Sequence, residues 1–259
     1  MPPKLVRGRF LESFLPRGLH ECVPIGQVLI SSYQLLAIRR YRLGWRQMAT
    51  RVHHPIFARL YQRMGASMEA AGGAEHRNRL LAGLVGRVVE VGAGNGLNFS
   101  HYPGTVTEVI AVEPESYLRA RAEEAARNAL IKVSVIDGDA EHLPFEDASV
   151  DAAVTSLVLC SINNPVAALK EILRVLRPGG ELRFYEHVLA NDPGLARVQR
   201  VVNPIWSRFA GGCRLTRDTF DLIRSTGFIV DEYEQFLFQP CLLSKLAAPH
   251  ILGRAHKSS

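Results

Sequence analysis

The sequence predicts an α/β fold: a seven-stranded, mostly parallel sheet with helices on both faces and further helices ahead of the first strand. Short runs rich in valine and isoleucine, typical of buried strands, alternate with segments of helical periodicity. A glycine-rich turn, Gly92–Gly96, follows the first run, as at the carboxyl ends of strands in nucleotide-binding sheets. The chain has 259 residues, 47% of them hydrophobic, which is sufficient for the core of one such domain.

The predicted elements follow this alternation in order. Strands are expected at residues 87–91, 107–112, 132–136, 150–157, 181–188, 228–236 and 249–256. Helices are expected at residues 25–42, 55–68, 74–83, 95–102, 114–128, 165–176 and 218–226. Pro114 suits the first turn of its helix, and Pro178-Gly179-Gly180 is expected to end another. Apolar helix faces are predicted at Ile56, Leu60, Tyr61 and Met64, and at Val166, Leu169, Leu173 and Leu176.

Two regions depart from the alternation. Residues 1–50 form a basic, partly apolar N-terminal extension, and residues 189–217 interrupt the domain of residues 51–259 with several prolines and glycines. Because this interruption follows the carboxyl end of a strand, we expect it to form a cap over the substrate site. The net charge of the chain is +6, but residues 1–63 alone carry +9, so the remainder is mildly acidic.

The uneven charge bears on the partners of the protein. A basic segment can bind nucleic acid or anionic lipid. We expect no nucleic-acid substrate, because the rest of the chain lacks a basic excess. Residues 23–38 are uncharged but too short and too interrupted for a transmembrane helix. We therefore expect a cytoplasmic protein, with peripheral membrane contact through the N-terminal segment as the alternative.

The cysteines give no local sign of a metal site. Cys22, Cys160, Cys213 and Cys241 are scattered, and no C-x-x-C pair occurs. The spacing therefore predicts neither a zinc site nor a redox dithiol. Cysteines at or near buried strands are typical of proteins from a reducing compartment.

The spacing of the glycines indicates which nucleotide is bound. The dinucleotide fingerprint G-x-G-x-x-G would require a third glycine at position 97, where the chain has Leu97. Gly92, Gly94 and Gly96 instead alternate with other residues, and Glu90 lies within the preceding strand. This pattern resembles the first motif of class I S-adenosylmethionine (SAM)-dependent methyltransferases. Glycines are common in tight turns, so the pattern alone is not specific.

Two further acids occur at suitable intervals. Glu113 ends the second predicted strand, in the position where a carboxylate binds ribose hydroxyls. Asp139 follows the third strand, in a segment that resembles the methyltransferase segment contacting adenine. The resemblance implies SAM as cofactor and S-adenosylhomocysteine as product. The implied cofactor-binding residues are Glu90, Gly92, Ala93, Gly94, Asn95, Gly96, Asn98, Glu113, Pro114, Asp139, Ala140, Glu141, Ser156, Leu157 and Val158.

Other segments narrow the resemblance. Arg174–Gly180 occurs in many class I methyltransferases, whereas four segments resemble the methyltransferase-like thiol S-methyltransferases. Those four are Ser156–Ser161, Glu186–Val188, Gly211–Asp218 and Pro249–Gly253. The resemblance implies a small apolar thiol as methyl acceptor, and the arginine- and alanine-rich composition suggests a bacterial relative. The hydrophobic N-terminal anchor of that family is not reproduced, and Glu113 stands where its members commonly have Asp.

The resemblance also indicates an acceptor site. His187 is the candidate proton acceptor, since an imidazole of ordinary pKa about 6.5 suits that role; the alternative is a structural histidine bonded to the backbone. Predicted acceptor-lining residues are Cys160, Trp206, Cys213, Arg217 and His250. Two other functions stay open from the sequence. One is methylation of oxygen, nitrogen or carbon on a quinone, lipid or other small molecule, and the other is a non-catalytic SAM-binding or membrane-docking module.

Overall fold

The computed structural model describes residues 55–259, in which seven strands alternate with helices. The strands are β1 (Gly86–Val91), β2 (Val106–Val112), β3 (Val133–Ile136), β4 (Val150–Ser156), β5 (Leu176–His187), β6 (Phe228–Leu237) and β7 (Pro249–Lys257). The α-helices are α1 (Pro55–Met68), α2 (Ala74–Leu81), α3 (Ser116–Ala126), α4 (Pro165–Val175), α5 (Pro193–Phe209) and α6 (Thr219–Ser225). The predicted extension 1–50 and the helix predicted at 25–42 lie outside the described residues.

The strands form one sheet in the order β3-β2-β1-β4-β5-β7-β6. The first five are parallel, and β7 runs antiparallel to both β5 and β6. β1 and β4 lie side by side at the centre, on either side of the point where the strand order reverses. In open α/β sheets ligands bind outside the carboxyl ends of the strands at such a point. The predicted sheet is therefore confirmed, and its topology indicates where the site lies.

Helices cover both faces of the sheet. Val88 packs with Leu80 of α2 on one face, whereas Val89 packs with Leu169 and Ile172 of α4 on the other. Consecutive strand residues point to opposite faces, so a strand covered on both sides reads as a continuous apolar run. This explains why the valine-rich runs predicted strands correctly. Within residues 55–259, no helix combines the length and the apolar character needed to cross a membrane.

Several local predictions were wrong. The helix expected at residues 95–102 is replaced by one 3-10 turn, Phe99–His101, because the glycine loop keeps the chain out of helical geometry. Helix α3 begins at Ser116 with Glu115 as its N-cap, so Pro114 precedes it. Helix α4 ends at Val175, and the Pro178-Gly179-Gly180 segment lies inside β5.

Two predicted apolar faces also differ. Ile56, Leu60 and Met64 of α1 are exposed, Ile56 by 82%, while the helix buries Ala58 and Gly65. The small face is inward because α1 lies close to the glycine loop: a Cβ on Gly65 would be 3.4 Å from the Asn95 amide nitrogen. In α4, Leu169 is buried as expected, but Val166 is exposed.

Candidate functional site

The glycine loop presents main chain at the carboxyl end of β1. Gly92, Gly94 and Gly96 have φ angles of 72°, 57° and 81°, in the left-handed region that favours glycine. A Cβ on Gly92 would lie 2.2 Å from a methyl carbon of Val158, so this position also has no room for a side chain. The amides of Gly92 and Ala93 both donate to the Val112 carbonyl, which fixes the loop against β2.

Gly96 has a different role from the other two glycines. A Cβ there would be 2.7 Å from the Phe99 ring and 2.9 Å from Ala125, both of them core neighbours of the loop. The third glycine therefore allows the turn to pack on the domain. Asn95, beside it, is buried, and its Oδ1 atom has no hydrogen-bond partner among the described residues. A buried acceptor that no described residue satisfies suits a polar ligand that carries its own donors.

The two predicted acids flank this loop. Glu113 Oε2 accepts a hydrogen bond from the Gly94 amide at 2.7 Å, and Oε1 accepts one from the Glu115 amide at 2.8 Å. A carboxylate has about four lone-pair positions, so these bonds leave room for ribose hydroxyls. Burial raises the pKa of Glu113 to about 7, although the two amide bonds act in the opposite direction.

Glu90 serves the loop from inside β1. Its two oxygens accept hydrogen bonds from the Asn98 amide nitrogen and the Tyr102 hydroxyl, each at 2.8 Å. Glu90 is 1% exposed, and burial raises its pKa to about 7. These contacts fix the return of the chain after the glycine loop, so in this structure Glu90 supports the predicted cofactor residue Asn98.

Arg77 on α2 is a residue of this region that sequence reasoning missed. Its guanidinium donates to Asn98 Oδ1 at 2.7 Å, to Ser156 Oγ at 3.3 Å and to Glu69 at 2.9 Å. Arg77 is only 5% exposed, so a buried cation connects the N-terminal helices to the ends of β1 and β4. Its burial could have been predicted from spacing, because Arg77 lies three and four residues before Leu80 and Leu81 and so shares their inward face of α2.

The loop after β3 contains the residues predicted to contact adenine. Asp139 Oδ1 accepts the Glu141 amide at 3.0 Å, and Glu141 in turn accepts the Asn164 amide at 3.0 Å. Ala140 is buried between them. The loop is thus held by its own hydrogen bonds at the carboxyl edge of the sheet, next to the end of β2. Adenine contact itself stays a prediction.

The segment after β4 is held in an unusual conformation by Glu186. Leu157 has a positive φ of 59°, which is rare for a branched residue. Glu186 Oε1 accepts the Val158 and Leu159 amides at 3.2 and 3.0 Å, and Oε2 accepts the Cys160 amide at 3.2 Å. Burial raises the pKa of Glu186 to about 7, opposed by these three bonds. Sequence reasoning did not assign this role to Glu186.

Cys160, His187 and Cys213 meet beyond this segment. The Nδ1 atom of His187 lies 3.6 Å from the sulfur of Cys160 and 3.6 Å from the sulfur of Cys213. Both cysteines are buried, and His187 is partly buried. We call these three residues the sulfur–imidazole cluster. The structure brings these three predicted site residues together beyond the carboxyl ends of β4 and β5. Their contact with an acceptor stays a prediction.

The protonation of the sulfur–imidazole cluster is shared between its members. Hydrogen bonding from Cys160 and the nearby His187 imidazole hold the pKa of the Cys213 thiol well below its usual range. Burial acts to lower the pKa of His187, but Cys213 and Glu186 outweigh it and the net shift is upward. His187 and Cys213 therefore shift each other's pKa, that of the thiol downward and that of the imidazole upward.

The remaining predicted acceptor residues surround this cluster. Trp206 of α5 packs with Cys160, Cys213 and Leu215. That the segment of residues 189–217 caps a substrate stays a prediction. The His250 ring lies 4.5 Å from that of His187, and burial lowers its pKa well below the usual value. Arg217 donates to the carbonyl oxygens of Leu159 and Ile162, which ties the cap segment to the segment after β4. Its direct contact with an acceptor stays a prediction.

The fold, the glycine loop and the flanking acids define a class I SAM-dependent methyltransferase. A family described as "Methyltransferase domain" matches residues 89–184. The thiol S-methyltransferase TMT1B of Homo sapiens is 36% identical over 185 residues, covering 68% of this chain and 74% of that protein. The protein of the same name from Rattus norvegicus is 36% identical over 176 residues, covering 66% of this chain and 70% of that protein.

Solved structures agree with this assignment. A SAM-dependent methyltransferase from Thermotoga maritima has a TM-score of 0.59 and 26% identity, and the match covers 78% of this chain and 97% of that one. The chain belongs to the family of SAM-dependent methyltransferases that includes the TMT1B enzymes. The predictions of an enzyme, of this fold and of SAM as cofactor are confirmed.

Proposed function

We propose that this enzyme methylates a small, apolar thiol. The observation that carries the proposal is the sulfur–imidazole cluster at the carboxyl ends of β4 and β5, where the methyl acceptor would lie. The similarity to enzymes named thiol S-methyltransferases supports the same acceptor class. The surroundings are apolar and aromatic: Tyr185 and Phe236 stack near His250 beside the cluster. Such a lining suits an alkyl or aryl thiol better than a charged substrate.

The residues of the chain would act mainly by binding and orientation. The sulfonium of bound SAM supplies an electrophilic methyl carbon. Gly92 and Gly94 admit the cofactor to the main chain, Glu113 would hold its ribose, and the loop of Asp139 and Ala140 its adenine. Correct alignment of two reactants is worth roughly 7–11 kcal/mol in favourable cases. The fixed segment after β4 contributes to that alignment, because Glu186 holds its amides in place.

His187 would manage the proton of the acceptor. A free thiol of pKa about 8.5 is only a few per cent ionised at neutral pH, so its proton must be removed before attack. The neutral His187 imidazole would accept that proton, and the resulting imidazolium would stabilise the acceptor thiolate beside it. Cys160 and Cys213 provide a soft, polarisable wall and are not methylated in this scheme.

A direct test is incubation with SAM and matched alkyl thiol, alcohol and amine acceptors, with products identified by mass spectrometry. We expect methyl thioether formation, and a decrease of at least about 100-fold in kcat/KM for His187→Gln, in the range of general acid–base contributions. His256→Gln is the matched control, since His256 lies on β7 with an exposed partner, Asp231. Methylation of the alcohol or amine without thioether would refute the thiol proposal. SAM binding without turnover on any acceptor would favour a non-catalytic module.

A further inference from the structure

The sulfur–imidazole cluster has the composition and spacing of a catalytic zinc site. Two thiols and one imidazole converge, and their three ligand atoms lie within 4.8 Å of one another. With bonds of about 2.3 Å to sulfur and about 2.05 Å to nitrogen, a tetrahedral zinc site separates S from N by about 3.6 Å and S from S by about 3.8 Å. Both sulfur-to-Nδ1 distances in the structure are 3.6 Å.

A hydrogen bond links the two sulfurs, but hydrogen bonding by Nδ1 accounts for only one of its two sulfur contacts. The Nδ1 atom of His187 carries at most one proton or one available lone pair, so it forms a good hydrogen bond with only one sulfur at a time. Yet the sulfurs of Cys160 and Cys213 lie at the same distance from it. A single cation placed between the three atoms would satisfy all of them together. Thiolate and imidazole ligands in a tetrahedral arrangement favour zinc.

The surrounding main chain holds the ligands in place. Cys160 is fixed by its amide, which donates to Glu186, and by its carbonyl, which accepts the Arg214 amide at 2.9 Å. On the cap side, Gly212 allows close approach, because a Cβ there would be 3.0 Å from the Ser161 carbonyl oxygen. Its φ of 87° is in the region that favours glycine. The cap segment and the segment after β4 are therefore locked together beside the site.

We propose that Cys160, His187 and Cys213 bind one Zn²⁺ ion and leave its fourth position open for the acceptor thiol. Catalytic zinc sites have three protein ligands and one open position, and some of them use two cysteines and one histidine. Among residues 55–259, the cluster contains no fourth histidine, cysteine or acidic ligand. The role of the open position rests on the proposed function, whereas the binding of zinc does not.

Methyl transfer to a zinc-bound thiolate needs no oxidant or reductant. The acceptor thiol loses its proton to solvent and binds zinc as a thiolate, because a coordinated thiol is deprotonated. The sulfur of the acceptor then forms a bond to the methyl carbon, and the bond from that carbon to the cofactor sulfur breaks, leaving its electron pair on S-adenosylhomocysteine. The neutral thioether product is a weaker ligand and leaves. In the zinc-loaded enzyme His187 acts through the metal, so its role as proton acceptor belongs to the metal-free protein.

Metal binding is tested on the full chain in a Cys22→Ser/Cys241→Ser background, where Cys160 and Cys213 are the remaining cysteines. We expect one zinc per chain by elemental analysis. Cobalt(II) should bind with a tetrahedral spectrum and a thiolate charge-transfer band. Cys160→Ser, Cys213→Ser and His187→Gln should each weaken zinc binding by about 100-fold or more, a scale that even supporting residues of metal sites reach. SAM binding by these variants reports whether they fold.

The open position is tested by adding an alkyl thiol to the cobalt-loaded protein. A change in the charge-transfer band supports the site, and no change overturns the assignment of the fourth position. Absence of stoichiometric zinc, unaltered zinc binding in folded Cys213→Ser, or a Cys160–Cys213 disulfide in the purified protein would overturn the metal site. Zinc binding combined with methylation of a different acceptor class would refute the thiol function while leaving the metal site in place.

Discussion

Replacing Arg77 with methionine should strongly destabilise the protein. The change removes a buried cation and leaves Asn98 Oδ1 without its donor and the Glu69 carboxylate with His101 alone at 3.6 Å, while the apolar stem is kept. Hydrogen bonds to charged groups contribute about 1.5–3 kcal/mol each, and breaking a buried ion pair from one side costs about 3–5 kcal/mol. Glu69 is 19% exposed and regains some hydration, so we expect a loss of about 3–4 kcal/mol.

The assay is equilibrium unfolding in urea, monitored by circular dichroism. The free energies of unfolding are compared only where the slope of free energy against urea concentration is the same for both proteins. Arg79→Met is the matched control, because Arg79 lies on the same helix and its partner Glu234 is on the surface. We expect the control to lose less than about 1 kcal/mol. Arg77→Lys keeps the charge with fewer donors and should fall between the two. A loss below about 1 kcal/mol for Arg77→Met would refute the reasoning.

The same variant has a functional consequence. Arg77 positions Asn98 and Ser156, both predicted cofactor-binding residues, so SAM affinity measured by calorimetry should decrease for Arg77→Met. Affinity should stay unchanged for Arg79→Met. Destabilisation without a change in SAM affinity would mean that the buried cation supports the fold alone.

Three other predictions concern the cofactor site. Gly92→Ala should abolish SAM binding in calorimetry, since its Cβ would lie 2.2 Å from Val158, whereas Gly104→Ala, with open space around it, should bind normally. Glu113→Ala should weaken SAM binding by about 10-fold or more, a loss of at least about 1.4 kcal/mol; equal affinity would contradict the ribose assignment. Burial raises the pKa of Glu90 from 4.5 to about 7. The protonated carboxyl therefore stabilises the folded protein fully below pH 4.5, and this contribution is lost as the pH rises through 7. The Glu90→Gln side chain cannot titrate. Urea unfolding at a series of pH values should therefore show the variant gaining up to about 3 kcal/mol of stability relative to wild type between pH 4.5 and 7.

Local information was sufficient for the strands and for the glycine loop. Strands buried on both faces appear as runs rich in valine and isoleucine, and Glu113 directly follows one of them. Glu113 illustrates this: its position after β2 follows from the sequence, and the structure places its carboxylate on the Gly94 amide. The helix expected at residues 95–102 failed because left-handed glycines prevent helix formation, whatever the propensity of the residues that follow.

The sequence by itself determined the strands, the glycine loop and the positions of the acids along the chain, because these depend on neighbours within a few residues. Only the tertiary structure decided the contacts of Arg77 with Asn98 and Ser156, which are 21 and 79 residues away, and the convergence of Cys160, His187 and Cys213. Residues 160 and 213 lie 27 and 26 positions from His187, so no local spacing motif connects them. They meet because β4 and β5 are adjacent and the cap returns to their carboxyl ends, and strand order and chain return are properties of the folded sheet.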